Sequence, residues 1–324
     1  MSKSYIKINY NLRPAKSVER KMLCEALRRL IFFSDLTKYK YVGFGSTFFT
    51  DFLLIHKSLG INDLTSIEKE EEDKDRFEFN RPYDKINLEI GDANSILPGI
   101  GWNKKIILWL DYDEKLKKNM LTDIGTFISR ALAGSIILVT INVGPDQLPD
   151  KNNKKERYEQ LVDRVGKAKI PIEISKHDLD KQNHPKVCHA IANNEIEQIL
   201  SIRNQGLKSK LIYNQLFNFS YEDSTPMLSF GGILYAESDA ENLKKCNFDD
   251  LDFTKCEKSK YDPFKIIVPN LTFKEMHSID KFMPSENISE IRNKGKLKFL
   301  DKEEIKNYGS IYRYVPNFVE AEIH

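Results

Sequence analysis

No run in this 324-residue chain approaches 18 consecutive apolar residues, so nothing in it reads as a membrane-spanning helix. The opening Met1–Leu12 lacks the apolar core of a secretory signal. Cysteine is scarce: Cys24, Cys188, Cys246 and Cys256 are scattered, with no C-x-x-C pair. Such thiols read as reduced, which excludes a disulfide scaffold and, with the missing signal, predicts a cytoplasmic protein. His177, His184, Cys188 and His189 fall close together, but their spacing matches no zinc pattern. An excess of either charge is also lacking. Fifty basic residues stand against 48 acidic ones, a net charge of +2, which decides neither for nor against nucleic acid.

What the chain does have is an ordered run over Tyr39–Tyr112. An apolar strand at Tyr39–Val42 enters Gly43-Phe44-Gly45-Ser46-Thr47, a turn with two glycines and two candidate helix caps. Phe49, Phe52, Leu53 and Leu59 then recur at helical spacing. Strands follow at Leu64–Ile67, Ile86–Ile90 and Ile106–Leu110, each stopping at an acid: Glu68, then Gly91-Asp92-Ala93, then Asp111-Tyr112-Asp113. An open parallel sheet binds ligands beyond the carboxyl ends of its strands, and the acids and the glycine turn all fall on that edge. Glycines let a backbone approach a ligand closely, the helix after them begins with free N–H groups, and an acid at the end of the second strand suits a ribose diol. The third glycine of a dinucleotide turn is missing: Thr47 or Phe48 stands in its place. An ordinary strand-to-helix turn is the competing reading.

This layout resembles the class I S-adenosylmethionine-dependent methyltransferase fold. The resemblance implies that Gly43, Phe44, Gly45 and Ser46 cradle the methionine part of the cofactor. It gives Glu68, with the neighbouring Lys69, the ribose hydroxyls. It sets Asp92-Ala93 beside the adenine and Asp111-Tyr112-Asp113 at the active-site end. The run Tyr41–Glu68, with Glu78–Pro82, Trp109–Tyr112 and the opening Leu12–Lys21, is similar to a little-characterised bacterial group labelled "putative O-methyltransferases". Members of that group tend to occur among phage-defence genes, which implies a role in antiviral defence. Two departures stand out: the third glycine is absent, and Tyr41 replaces the usual acid two residues before the first.

Asp111, Tyr112 and Asp113 are the residues read as catalytic. Methyl transfer from a sulfonium needs an in-line nucleophile, and often a base to take its proton. Two carboxylates flanking a tyrosine can supply that base or hold a divalent metal, which the sequence allows but does not require. The segment lacks the Asn/Asp-Pro-Pro-Tyr/Phe signature of amino-methylating DNA enzymes.

The rest of the chain is organised around that core. Ser2–Leu12 is a short strand or arm, and Pro14 opens a helix with the stripe Ala15, Val18, Met22, Ala26, Leu27, Leu30 and Ile31. Its basic residues, including Lys16 and Arg20, read as a solvated face in preference to a phosphate-binding arm. Met120–Leu132 is a further helix, and Ile136–Val143 a fifth strand ending at Gly144-Pro145. Pro149–Arg157 is a charged loop. Helices are expected near Glu156–Lys167 and Asn194–Arg203, and Leu211–Ser220 with Pro226–Ala236 reads as a closing antiparallel hairpin. A strand at Phe264–Val268 and helices at Leu271–Phe282 and Asp301–Tyr308 follow. Tyr308, Tyr312 and Tyr314 form a packed aromatic tail or, with Arg313, a base-stacking one.

The expected fold is therefore α/β, a Rossmann-like, mostly parallel sheet with an antiparallel closing hairpin, an insertion and a C-terminal extension. Its boundaries are an arm and helix over 1–36, the sheet domain over 37–236 with the insertion at 149–210, and the extension over 237–324. The expected function is transfer of a methyl group from S-adenosylmethionine to an oxygen of an unknown acceptor. The alternative is a catalytically degenerate relative that binds a partner protein or nucleic acid, with no membrane association.

Overall fold

The computed structural model describes residues 13–144, 153–179, 183–254 and 262–316. Pro145, Cys256, the Ser2–Leu12 arm and the 149–152 part of the charged loop lie outside them.

Long apolar runs pack as central strands because both faces of a parallel sheet are covered. Strands β1 (Lys40–Gly43), β2 (Asp63–Glu68), β3 (Ile86–Ile90), β4 (Ile106–Asp111) and β5 (Ser135–Asn142) are all parallel. In β4 only Asp111 escapes full burial, and in β5 only Asn142. Then β6 (Leu211–Glu222) and β7 (Pro226–Ala236) form the antiparallel hairpin, with β7 inserted between β5 and β6. A short β8 (Phe264–Ile266) runs parallel to β6 at the edge, giving the order β3-β2-β1-β4-β5-β7-β6-β8. The expected α/β sheet with an antiparallel close is thus observed. Its strand order reverses between β1 and β4, the switch point at which such sheets bind ligands.

Alternate side chains of the central strands serve two cores. Ile107 and Trp109 face one layer with helices α1 (Pro14–Arg28) and α2 (Thr50–Leu59). Leu108 and Leu110 face the other, covered by α5 (Lys118–Arg130) and by α6 (Lys154–Val165) and α7 (His184–Arg203) of the insertion. Between them in the chain, α3 (Lys74–Asn80) and the single turn α4 (Ala93–Ile96) lead into and out of β3. Past β7, α8 (Ala240–Lys245) precedes β8, and α9 (Phe273–Asp280), α10 (Ile288–Lys294) and α11 (Lys302–Ile311) close on a small core of their own around Ile279, Ile291 and Ile305. Tyr308 donates to Asp280 Oδ1 at 2.8 Å and Tyr314 to Glu25 Oε2 at 2.5 Å, so these two tyrosines are packed into the structure and do not form an exposed stacking platform.

Helix α1 departs from the sequence reading. Its apolar stripe is buried through Leu30, while Ile31 is exposed. The basic face is only partly solvated: Arg28 is exposed, but Lys16 and Arg20 are buried, together with Glu19. Arg13, at the cap position, provides no side-chain cap. The carboxylate of Asp223, in the β6–β7 turn, does so instead, accepting from the N–H groups of Ala15 at 2.9 Å and Lys16 at 3.1 Å. That bond pins α1 across the carboxyl edge of the sheet. Among the described residues no helix is long and apolar enough to cross a membrane.

Candidate active site

The glycine turn leaves β1 where Gly43 lies level with Ser66 of β2 and Trp109 of β4. A side chain at Gly45 would stand 2.5 Å from the Phe49 ring and 2.6 Å from Ser66 Oγ, so only glycine lets the turn lie this close to β2. Ser46 and Phe49 both adopt positive φ, 53° and 47°, which tightens the turn further. The result is a direct contact with Glu68. Its Oε1 accepts from Gly45 N–H at 2.7 Å, Ser46 N–H at 2.9 Å and Ser66 Oγ at 2.7 Å. Burial pushes the Glu68 carboxyl up to about 7, against the pull of those three bonds. Beside it, the hydroxyls of Ser46 and Thr47 are buried and meet no partner among the described residues. Unsatisfied buried hydroxyls beside a close-approach glycine fit a bound polar ligand.

Asp111 emerges at the end of β4 into a dry charge cluster. Lys16 Nζ lies 2.9 Å from Asp111 Oδ1, 2.8 Å from Glu19 Oε2 and 3.1 Å from the Tyr221 hydroxyl, and 4.5 Å above the Trp109 ring. Arg20 pairs with Asp51 alongside. Burial opposes charge on every member, but Lys16 outweighs it at Asp111 and holds that carboxyl below its usual range. The carboxylates of Asp111 and Glu19 in turn keep Lys16 protonated, its pKa raised despite burial. Glu19, with no solvent contact, is pushed up by burial. Of these side chains Asp111 reaches furthest out, at 16% exposure against 0% for Lys16 and Glu19.

Tyr112 points the other way. Its hydroxyl donates to Asp123 Oδ2 at 2.6 Å, and its ring meets Phe44 edge-on at 5.3 Å. Burial, and then the Asp123 charge, push the phenol well above its ordinary value, so it stays protonated and engaged. Asn94, just past Ala93, donates to Asp123 Oδ1 at 2.6 Å. Asp92 sits at the surface in an ion pair with Lys69, 3.2 Å long. Asp113 is exposed. The structure thus gathers Gly43, Phe44, Gly45, Ser46, Glu68, Asp111 and Tyr112 at one edge, with Lys69, Asp92 and Ala93 at its rim.

On the far side of Tyr221 a cleft of about 570 Å³ opens between the start of α1, the end of β5 and the β6–β7 turn, lined by Ala15, Val143, Tyr221, Met227 and Ile266. That volume lies within the range of small-molecule sites. Among the described residues no three His, Cys, Asp or Glu side chains are grouped to hold a metal. His184 Nε2 and Cys188 Sγ approach within 3.6 Å inside α7.

A family model described as "putative O-methyltransferase" matches residues 8–323, nearly the whole chain. The chain belongs to this family. That membership places it among the methyltransferases. No curated protein matches it. Among solved structures, an O-methyltransferase from Bacillus cereus in complex with SAH is 11% identical over 71% of this chain and 86% of that one, with a TM-score of 0.36. Cofactor-bound Rv0187 from MTB is 14% identical over 70% and 81%, with a TM-score of 0.35. A mutant of MtNAS is 12% identical, with a TM-score of 0.25; the match covers 32% of this chain and only 37% of that one. These overlaps carry no weight for substrate or mechanism; the fold rests on the strand order itself.

Four residues of this family member's site escape a reading by periodicity: Lys16, Glu19, Asn94 and Asp123. The first two had a signal. They continue, through Leu23, a row of α1 that is flanked on both sides by apolar positions and is buried throughout.

Proposed function

We propose that this family member transfers the methyl group of S-adenosylmethionine to an oxygen of a small acceptor. The observation that carries the reading is the glycine turn drawn against Glu68, with the unpartnered hydroxyls of Ser46 and Thr47 beside it. When bound, the cofactor supplies an electrophilic methyl group on a sulfonium. Among the described residues Glu68 uses only Oε1, which leaves Oε2 to accept from the ribose hydroxyls. Ser46 and Thr47 offer hydroxyls to the amino-acid end, while Phe44 and Tyr112 wall the pocket.

Asp111 is a poor base, because a carboxylate held down by Lys16 has little affinity for an acceptor's proton. It serves instead as a fixed anion that orients the acceptor's hydroxyl. The exposed Asp113 carboxylate, or water, takes the proton. The acceptor enters from the cleft beyond Tyr221. One observation favours the second reading, a degenerate turn in a partner-binding defence component: the Gly45 and Ser46 N–H groups are already filled by Glu68.

Calorimetry with S-adenosylmethionine tests between them. Binding that weakens at least tenfold in Glu68→Ala, with the fold retained, supports transfer chemistry. No binding to the wild type supports the second reading.

A further inference from the structure

A second concavity lies away from the glycine turn. It is a cleft of about 380 Å³ between α7 and β6, at the small end of the range of small-molecule sites. In the sheet order, β4, β5 and β7 stand between β6 and β1. Ile196 and Leu200 of α7, with Leu211 and Tyr213 of β6, give the cleft apolar walls, and the amides of Asn193 and Gln215 interrupt them.

Two rows of side chains run from this cleft into the protein. On β6 the register shifts between Gln215 and Phe217, and Leu216, Phe217 and Phe219 all pack on the α1 side. Gln215 and Asn218 therefore share the opposite face of the strand, toward α7. On α7, His189 precedes Asn193 by one turn, and its ring meets Phe230 edge-on at 5.2 Å. Phe230 is the β7 residue paired with Asn218. The two rows thus converge on Asn218, which is 2% exposed. Neither its Nδ2 nor its Oδ1 has a hydrogen-bond partner among the described residues. A buried polar atom left unmade costs about 1–3 kcal/mol, so folded proteins satisfy such groups.

An amide sets a donor beside an acceptor in one plane. The partner that satisfies both at once is a planar edge with an acceptor beside a donor, which nucleobases carry. Charge narrows the class further. The exposed residues of the lining include Glu197, Glu237 and Lys210, so a phosphate there would face two carboxylates against one ammonium. We propose that the α7–β6 cleft is a second binding site, for an uncharged nucleobase or nucleoside, and that Asn218 reads the base edge. This site does not depend on the methyl-donor reading.

Calorimetry on the full chain with the common ribonucleosides, each beside its 5′-monophosphate, is the test. At least one nucleoside should bind, and its monophosphate should bind more weakly. Asn218→Leu keeps the approximate shape and removes both polar atoms. It should weaken that nucleoside roughly tenfold or more, as loss of a bidentate contact to a base edge requires. Its melting temperature should stay level or rise, because no bond within the chain is lost. A nucleoside held at the glycine turn instead would keep its affinity in a folded Asn218→Leu protein, and that result overturns the proposal. So does a failure of every nucleoside to bind, or a monophosphate that binds more tightly than its nucleoside. Should Asn218→Leu not fold, a wild-type crystal soaked with the nucleoside decides. Density in the cleft against Asn193 and Asn218 supports the site, and ordered water alone on Asn218 overturns it.

Discussion

The sharpest consequence of the turn geometry is a pH dependence traceable to one carboxyl. Burial pushes the Glu68 carboxyl up to about 7, from 4.5 for the free side chain, because it disfavours the charge more than three hydrogen bonds to Oε1 favour it. Below about pH 4.5 both folded and unfolded chains hold the proton, and the contribution is fully present. As the pH rises, the unfolded chain releases the proton first. Stability then falls until the folded carboxyl ionises near 7. Two to three pKa units correspond to about 3 kcal/mol. Glu68→Gln keeps an oxygen for the Gly45 and Ser46 N–H groups but cannot titrate. The difference in urea-unfolding free energy between wild type and Glu68→Gln should therefore change by about 3 kcal/mol between pH 4.5 and 7.5, in the direction of a relatively less stable wild type at high pH. Ligand binding should run the other way: ribose hydroxyls donate best to a carboxylate, so wild-type affinity should rise through pH 7 while the Gln variant stays flat. Parallel stability curves for the two proteins would refute the burial argument.

Three further outcomes follow from named contacts. Lys16→Met should cost about 3–5 kcal/mol in urea unfolding, because it strands Asp111 and Glu19 without their cation; adding Asp111→Asn should recover part of the loss, and a neutral single variant would contradict the cluster. Gly45→Ala should destabilise by about 1–3 kcal/mol and weaken binding of S-adenosylhomocysteine, since the added methyl overlaps Phe49 and Ser66; unchanged unfolding and calorimetry would show that the turn has room. Asp223→Ala should cost about 1 kcal/mol by uncapping α1, seen as a drop in melting temperature, and an unshifted melt would mean that the helix start is held by other bonds.

Those contacts also mark where a single sequence stops being informative. The central strands are legible because Ile106–Leu110 and Ile136–Ile141 are apolar on both faces, as buried parallel strands require. Glu68 and Asp111 stand out because each ends such a run. Their partners do not. Lys16 meets Asp111 across 95 residues, and Asp223 caps α1 across 208, separations to which periodicity is blind. Charges on an amphipathic helix read as solvated by default, and Lys16, Glu19 and Arg20 are the exception because Lys16 is paired with Glu19 and Asp111 in place, and Arg20 with Asp51. Asp123 is hidden for a related reason: a polar residue within the apolar face of α5 has no visible role until Tyr112 and Asn94 are seen to donate to it. Tyr112, read as catalytic from its place between two acids, has its hydroxyl engaged by Asp123, a partner that its neighbours in sequence do not reveal.

A crystal structure after soaking with S-adenosylhomocysteine tests the central claim most directly. Ligand density should lie across the Gly43–Thr47 turn, with the ribose hydroxyls on Glu68 Oε2 and the purine against Asp92 and Ala93. Density elsewhere, or a turn still closed on Glu68 with no ligand at saturating concentration, would contradict it.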